Sequence, residues 1–396
     1  MNTKNIVLAV FLVAVAVIIG VTVVRQGKGS TNEAGGDGGK GGKSLSNDDA
    51  VEISMLYGTE KKDWIEASAA RFQTSHPEIK LTLKGMGSTD AMNAILEGRE
   101  KPTIFSPADS VMMNLLIADW ETQYHSPLVP SSGPGAPQPL MITPLVFAVW
   151  EDRAQALMAK EGAITWASLH DAVTAKQGWA AVGGKAEWGF VKLGHTDPTR
   201  SNSGLQSITL MAMEHFGRTN LTVADVLDPA FQTWFTELEA GVTKFELSTG
   251  TFMTDMVRYG PSKYDIAVVY ESLAIGQLAN AQGRWGNLKV YYPKTTLWSD
   301  SPAAILEGDW VTPAQKAAAT TWLQYLLSKE VQTTALAYGF RPADLSIPLK
   351  SADANNPFNR MAPYGIQVDI GSAASAPDGP VIQNLMMLWT RQVQKK

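Results

Sequence analysis

The chain has 396 residues, a net charge of −5 and 45% hydrophobic residues, so it is long enough for more than one domain with a large core. It contains no cysteine, which excludes disulfides, thiolate metal sites, a cysteine nucleophile and a lipid-modified cysteine. The mild acidity gives no electrostatic reason to bind nucleic acid or anionic lipid, and we expect no nucleic-acid partner.

The N-terminus carries a long apolar segment. Residues 6–24 read IVLAVFLVAVAVIIGVTVV and hold no charge. As a helix this run would be about 28 Å long, close to the hydrocarbon thickness of a bilayer. It passes into Arg25 and Lys28 without a small-x-small cleavage site, which favours an uncleaved transmembrane anchor over residues 1–26. A cleaved leader is the alternative, and basic residues on both flanks leave the orientation open.

Residues 27–49 form a second distinct segment, rich in glycine and poor in apolar residues. The stretch reads GKGSTNEAGGDGGKGGKSLSNDD and contains eight glycines. Such a composition cannot bury a core, so it predicts a flexible linker between the anchor and the globular part.

Strands and helices alternate from Val51 onward. VEISMLYG is rich in β-formers, and the next segment predicts a helix that ends before Pro77, with apolar spacing at Trp64, Ile65, Ala69 and Phe72. IKLTLKGM and PTIFSPAD predict two more strands, and each precedes a helical segment. This alternation predicts an α/β fold with a parallel sheet, in which ligands bind beyond the carboxyl ends of the strands.

Polar residues follow each of these three strands. Thr59 and Glu60 follow the first, Ser88 follows the second, and Ser106 and Pro107 follow the third. Helix capping is one interpretation, since Ser and Thr are preferred caps. Because the carboxyl ends of parallel strands lie at one edge of a sheet, the three loops point into one space. We therefore predict that these residues line a polar ligand-binding cleft.

Later segments repeat the pattern and complete a resemblance to a known family. Residues 139–157, 185–217 and 263–281 each predict a strand followed by a helix, and a last helix begins at Pro313. In order, the segments resemble the extracellular solute-binding proteins of bacterial uptake systems. The matching stretches are YGTEKKDWIEASAARFQTSHPEIKLTLKGMGS, KPTIFSPADS, GHTDPTRSNSGLQSI, YDIAVVYESLA and LLSKEVQTTALAYGFRPA. HTDPTRSNSGL looks most like the molybdate-binding-like branch of these substrate-binding proteins of ABC transporters.

The resemblance spans 51–343 and implies a two-lobed type II periplasmic-binding fold, here preceded by the N-terminal transmembrane helix. Two hinge crossings are then expected near 143–149 and 266–271. Lobe 1 would comprise 51–145 plus 272–396, and lobe 2 would comprise 146–271. A small polar solute would be held between the lobes by hinge closure, and a membrane permease would be the partner.

In the resembling family, the loop DPTRSNSG supplies the second lobe's part of the cleft. Free N–H groups at the start of a helix can donate to a ligand, and glycine allows a close approach. An Asp-Pro turn with a serine cap is the alternative interpretation. Capping needs only one polar residue, so we predict ligand contacts from Asp197, Thr199, Ser201, Asn202, Ser203 and Gly204.

Glu271 is a further predicted ligand residue because it ends the apolar strand DIAVVY at the second crossing. An ordinary glutamate in a first helical turn, favoured by the helix dipole, is the alternative. With Glu60, a cleft-facing Glu271 would disfavour an oxyanion, although Lys61 and Arg200 offset this. A cation, a polyol or a zwitterion therefore fits at least as well as an anion.

Enzymatic alternatives have weaker support. The five histidines show no metal-binding spacing, and His195 near Asp197 and Ser201 lacks a G-x-S-x-G elbow. Glu60 and Glu271 would form a glycosidase pair only if they met across the cleft. We expect a binding protein without catalysis, metal or cofactor, anchored through 6–24 and displayed outside the cytoplasm. A scaffold that kept the fold but lost the solute is the rival.

Overall fold

The structure is a computed structural model that describes residues 50–394. The predicted anchor over 1–26 and the predicted linker over 27–49 lie outside the described residues. Between residues 50 and 394, no helix combines the length and apolar character needed to cross a bilayer.

The described residues form strands and helices in the alternation that the sequence predicts. The strands are β1 (Val51–Gly58), β2 (Ile79–Met86), β3 (Ile104–Ser106), β4 (Gln138–Pro139), β5 (Met141–Trp150), β6 (Leu193–Gly194), β7 (Ile266–Tyr270), β8 (Leu288–Tyr291), β9 (Thr295–Ser299), β10 (Pro302–Ile305), β11 (Arg341–Pro342) and β12 (Ser372–Ala374). The helices are α1 (Lys62–Ser75), α2 (Ser88–Leu96), α3 (Ser110–Tyr124), α4 (Glu151–Glu161), α5 (Trp166–Thr174), α6 (Asn202–Phe216), α7 (Val223–Val226), α8 (Pro229–Glu239), α9 (Thr249–Tyr259), α10 (Glu271–Ala281), α11 (Pro313–Leu327), α12 (Lys329–Thr334), α13 (Pro357–Arg360) and α14 (Gly379–Trp389).

The first lobe is built on a sheet with the strand order β2-β1-β3-β10-β4. Strands β1, β2 and β3 are parallel, and Tyr57 of β1 pairs with Gly85 and with Ser106. These strands therefore end at the same edge, as the strand-helix alternation predicts. Helix α1 covers this sheet with the apolar face that the sequence shows, and Trp64 and Phe72 are fully buried.

The second lobe is built around β5, the long apolar strand MITPLVFAVW. Its first residues pair with β11 and β9, whereas its last residues pair with β7 on one side and β8 on the other. A strand buried along nearly its whole length reads as a continuous hydrophobic run, which explains its composition. The α/β two-lobed fold predicted from the sequence is confirmed.

The chain stays beside the second sheet after Glu271. Helix α10 packs against β5, β7 and β8, and α9 packs against α10 and β7. The chain then reaches β9, which pairs with Thr143 and Pro144, before β10 joins the first sheet. The predicted lobe boundaries, 51–145 plus 272–396 and 146–271, stay a prediction. We use first lobe and second lobe for the elements packed on the first and on the second sheet, so α10 belongs to the second lobe.

Candidate functional site

A buried lysine joins the ends of β1 and β3. The Lys61 ammonium donates to the Glu60 carboxylate at 2.6 Å, to the Ser106 carbonyl at 3.1 Å and to the Pro107 carbonyl at 3.0 Å. Lys61 is fully buried, so this carboxylate and these carbonyls must replace its hydration shell. The predicted ligand residues Glu60, Ser106 and Pro107 are therefore held together by the Lys61 ammonium group. From the sequence, Lys61 was considered only as a charge that offsets the glutamates.

Ser88 brings the end of β2 to the same place. Its hydroxyl accepts a hydrogen bond from the Ala108 amide at 2.9 Å, across two loops of the first lobe. The predicted residues Glu60, Ser88, Ser106 and Pro107 therefore lie along one edge of the first sheet. The Ser106 hydroxyl is buried there and has no hydrogen-bond partner among the described residues.

Asp109 connects this edge to the second lobe. It caps α3 by accepting from the Met112 amide, and its second carboxylate oxygen accepts from Asn202 and Gln206 of α6, each at 2.8 Å. Burial raises the pKa of Asp109 to about 6, although the bonds from Asn202, Met112 and Gln206 act in the opposite direction. The Asn202 amide also donates to the Tyr270 hydroxyl at 3.0 Å. Asn202 is thus the predicted residue that meets the opposite lobe through its side chain.

Some of the contacts that fix the polar loop before α6 lie within the loop itself. The Asp197 carboxylate accepts from the Thr199 amide at 2.8 Å and from the Thr199 hydroxyl at 2.6 Å. A Cβ on Gly204 would lie 2.2 Å from the Thr196 carbonyl oxygen, so glycine is needed for contact between the helix and its own loop. Asp197, Thr199 and Gly204 therefore shape the loop.

Hydroxyl groups link this loop to the start of α9. Ser203 shares hydrogen bonds with Thr196 at 2.7 Å and with Thr249 at 2.6 Å, and Ser201 lies 3.3 Å from Thr249. All four side chains are buried. The predicted residues Ser201 and Ser203 therefore lie against the N-terminus of α9, which the sequence did not single out.

An ion pair crosses between the lobes beside these loops. The Arg200 guanidinium donates to both carboxylate oxygens of Asp90 at distances of 2.7 to 3.1 Å. A Cβ on Gly87 would lie 2.4 Å from the Arg200 carbonyl oxygen, so the loop after β2 touches the loop before α6 directly. The two lobes are therefore closed against each other here.

Glu271 has different neighbours from the other predicted residues. Its carboxylate accepts two hydrogen bonds from Arg341, both at 2.8 Å, and a further one from the Tyr292 hydroxyl. Arg341 also donates to the Gln367 and Val368 carbonyls at 2.7 Å. Glu271 is fully buried in this network, and its hydrogen-bond partners Arg341 and Tyr292 are not among the predicted ligand residues.

A cavity of about 620 Å³, the interlobe cavity, opens between α1 of the first lobe and α9 and α10 of the second. Its wall is formed by Thr59, Glu60, Lys62, Asp63, Trp64, Ser248, Gly250, Thr251, Met253, Thr254, Asp255, Arg258, Ser272, Leu273, Gly276, Gln277, Ala337, Tyr338 and Phe340. Of the predicted ligand residues, Thr59 and Glu60 line it directly. Ser201 and Ser203 do not line the cavity. They contact Thr249, which lies in the chain between the wall residues Ser248 and Gly250.

The described residues contain no group of three or more His, Cys, Asp or Glu side chains arranged to hold a metal ion. The polar groups gathered between the lobes are instead hydroxyls, amides and paired charges. Such a set can orient a polar organic solute through several directed hydrogen bonds.

Sequence comparison identifies the family to which this architecture belongs. A model of the bacterial extracellular solute-binding protein family matches residues 53–341, which include most strands of both sheets and the interlobe loops. The chain belongs to this family. The function predicted from the sequence, solute binding outside the cytoplasm, is confirmed. Among curated proteins, none matches this solute-binding protein in sequence.

Solved structures show the same fold. The sulfate-binding protein SubI from Mycobacterium tuberculosis H37Rv is 13% identical, with a TM-score of 0.52 over 84% of this chain and 96% of that one. AfuA from Actinobacillus pleuropneumoniae, solved with fructose-6-phosphate bound, is 15% identical, with a TM-score of 0.54 over 87% and 97% of the two chains. The substrate-binding protein of an ABC transporter from Agrobacterium tumefaciens is 15% identical, with a TM-score of 0.54 over 89% and 96%. These TM-scores establish a shared fold, and identities this low leave the solute of this protein open.

The sequence missed several residues that hold the site together. Lys61 and Arg200 were considered only for their charge, and Asp109 appeared only within the matching stretch SPADS. Nothing in the sequence indicated a role for Gln206 or Thr249 in the site, because a polar residue within or before an amphipathic segment looks like ordinary solvated surface. Their roles arise from contacts across more than forty positions, such as Ser203 with Thr249.

Proposed function

We propose that this solute-binding protein captures its solute in the interlobe cavity. The observation that carries the proposal is that both lobes contribute to the wall of one cavity, whose volume of about 620 Å³ suits a small organic molecule. Thr59 and Trp64 come from the first lobe, whereas Thr251 and Gln277 come from the second. A solute in contact with both sides stabilises the closed arrangement over an open one.

The chemistry of the wall favours a neutral or zwitterionic polar solute. Hydroxyl and amide groups of Thr59, Thr251 and Gln277 supply directed hydrogen bonds. Both signs of charge are present, and several of these charges already have partners: Glu60 contacts Lys61, Lys62 contacts Glu66, and Asp255 contacts Lys263. The half-buried ring of Tyr338 offers an apolar surface for the body of the solute, and Trp64 and Phe340 lie buried behind it.

Side-chain contacts between the two lobes, here called the seam contacts, couple solute capture to closure of the lobes. Asp90 with Arg200, and Asp109 with Asn202, are formed only when the lobes meet. We infer that these pairs, together with Glu60, Ser88, Ser106, Pro107, Ser201 and Ser203 around them, form the closing surface next to the solute. Asp197, Thr199 and Gly204 shape the loop, and Glu271 fixes the start of α10. We infer that the chain crosses back to the first lobe at 295–301, where β9 pairs with β5 and β10 joins the first sheet, whereas the sequence placed this crossing near 266–271.

The proposal includes no catalysis. Glu60 is bound to Lys61 and Glu271 to Arg341, so the two carboxylates of a glycosidase mechanism are each held by a different cation. His195 is buried, and its ring nitrogens contact Glu239 and the Thr196 carbonyl rather than Ser201. These contacts support a binding function.

We also propose that residues 6–24 anchor the protein in the membrane and that the folded part is presented to a membrane permease. A permease that recognises the closed form would distinguish loaded from empty protein, because the seam contacts above exist only in the closed form. Assignment to the molybdate-binding-like branch stays a prediction of the sequence.

Gly276 offers a direct test. A Cβ at this position meets no atom within 4 Å, and the residue lines the interlobe cavity, so the side chain of Gly276→Leu starts in open space and takes up part of the cavity. The full chain in detergent is screened by isothermal titration calorimetry against monosaccharides, amino acids, sulfate, molybdate and metal salts. We expect a sugar or an amino acid to bind and Gly276→Leu to reduce its affinity at least tenfold.

Ala279→Leu is the matched control, since it adds the same side chain to an exposed position of α10 outside the cavity. It is expected to bind like the unmodified protein. Binding that survives Gly276→Leu unchanged places the solute elsewhere and refutes the proposed site. Failure of every compound class, combined with tight binding to a protein partner, supports the scaffold alternative.

A further inference from the structure

A second cavity has a volume of about 420 Å³ and has Asp109 in its wall. We name it the Asp109–Asp300 cavity; it is lined by Asp109, Ser110, Val111, Asn114, Asn202, Leu205, Gln206, Thr209, Leu297, Trp298, Asp300, Ala374, Ser375, Ala376 and Ile382. The two cavities share no lining residue. Its walls come from α3, α6, β9 and the segment before α14, so it is a separate site in the fold.

The charges of this wall are all negative. Asp109 and Asp300 are the ionisable residues in it, and no Lys or Arg side chain is among the lining residues. The N-terminus of α3 partly compensates them, because Met112 and Ser110 donate their amides to Asp109 and Asp300. A helix N-terminus is equivalent to about half a positive charge, so two carboxylates leave the wall negative.

Two oxygens in the same wall have no hydrogen-bond partner among the described residues. They are the side-chain carbonyls of Asn202 and Gln206, residues that are 2% and 3% exposed. The amide nitrogens of both residues donate to Asp109 at 2.8 Å, and this fixes which end of each amide is the oxygen. Buried carbonyl oxygens without donors are costly, so the cavity is short of N–H or O–H donors.

Apolar surface decides between an organic cation and a bare metal ion. Leu205, Leu297, Ile382 and the ring of Trp298 make up much of the remaining wall. Mg²⁺ or Ca²⁺ needs six or more oxygen ligands and would leave this surface facing water. An organic cation places its charge at the carboxylates and its hydrocarbon against the apolar wall.

We propose that the Asp109–Asp300 cavity binds an organic cation with a primary ammonium or guanidinium group. The N–H groups of such a cation supply the donors that the Asn202 and Gln206 oxygens lack, and its charge balances Asp109 and Asp300. The first and second lobes and β9 all touch this cavity, so an occupant stabilises the closed lobes. The proposal is independent of the solute in the interlobe cavity.

Matched probes test the charge requirement. The full chain in detergent is titrated calorimetrically with n-butylammonium chloride, n-butylguanidinium chloride, n-butanol and calcium chloride. We expect the two organic cations to bind and n-butanol, which has the same hydrocarbon body without the charge, to show no binding. Equal binding of n-butanol, or binding of calcium with none of the organic cations, overturns the proposal.

Two variants locate the site. Asp300→Asn removes one charge but keeps an oxygen for the Ser110 amide, and it is expected to weaken cation binding about tenfold or more. Ser375→Phe places a ring at an exposed position of the wall and is expected to block entry. Gly276→Leu, which fills the interlobe cavity, is expected to leave cation binding unchanged. Cation binding that resists both Asp300→Asn and Ser375→Phe, or that is lost in Gly276→Leu, refutes this site.

Discussion

The pairing of Glu271 with Arg341 gives the most direct test of the structure. Both side chains are almost completely buried and share two hydrogen bonds of 2.8 Å. Glu271→Gln keeps the shape of the side chain but removes its charge, and its amide nitrogen then faces a guanidinium donor. The Arg341 charge remains buried without a counter-charge, and breaking such a pair typically costs about 3–5 kcal/mol of the free energy of unfolding.

The assay is urea denaturation of the full chain in detergent at pH 7, followed by tryptophan fluorescence. Glu307→Gln is the matched control, because Glu307 forms an exposed ion pair with Lys316 at 2.9 Å whose loss is expected to cost less than about 1 kcal/mol. A Glu271→Gln variant no less stable than Glu307→Gln refutes the structural role. If Glu271 instead contacts solute, the substitution lowers solute affinity and leaves the unfolding midpoint in place.

Three further predictions follow from the loops between the lobes. Gly204→Ala places a Cβ 2.2 Å from a carbonyl oxygen and is expected to lower the free energy of unfolding by about 1–3 kcal/mol. Gly276→Ala, whose Cβ meets open space, is expected to raise the free energy of unfolding by up to about 1 kcal/mol. Urea titrations that give the two variants equal stability contradict this prediction. Arg200→Gln removes the half-exposed ion pair with Asp90 that joins the two lobes. We expect little loss of stability but a larger radius of gyration in X-ray scattering of the solute-free protein, because the lobes open more easily. An unchanged radius of gyration shows that this ion pair does not hold the lobes closed. Burial raises the pKa of Asp109 to about 6, so between about pH 4 and pH 6 this carboxyl is protonated in the folded chain but ionised in the unfolded chain. The contribution of Asp109 to stability therefore falls as pH rises from about 4 to about 6. If Asp109→Asn shows the same dependence of unfolding free energy on pH as the unmodified protein, Asp109 is not its source.

Much of the fold follows from local sequence patterns. The apolar spacing of Trp64 and Phe72 marks the buried face of α1, and the helix ends at Ser75, two residues before Pro77. Tyr270 and Glu271 mark the junction between β7 and α10 as the sequence indicates. These features depend on neighbours within a few positions, and for that reason a single sequence contains them.

The site was only partly predictable. The parallel order of β1, β2 and β3 places Thr59, Ser88 and Ser106 at one edge, and this follows from the alternation of strands and helices alone. The sequence could not show that Lys61 would bind the loop after β3, or that Asp109 would meet Asn202. The Lys61 contact depends on how the loops of the first sheet pack together, and the Asp109–Asn202 contact depends on how far the lobes close.

By itself, the sequence determined the alternating α/β pattern, the family and the edge of the sheet at which polar groups collect, because strand period, helix caps and turn residues act over short distances. Only the tertiary structure decided which charges pair and which oxygens stay free. Glu271 meets an arginine seventy positions away, and Gly204 is required by a carbonyl of its own loop. The energy of a buried charge depends on its neighbours in space, and those neighbours come from segments whose separation along the chain is unrelated to their distance in the fold.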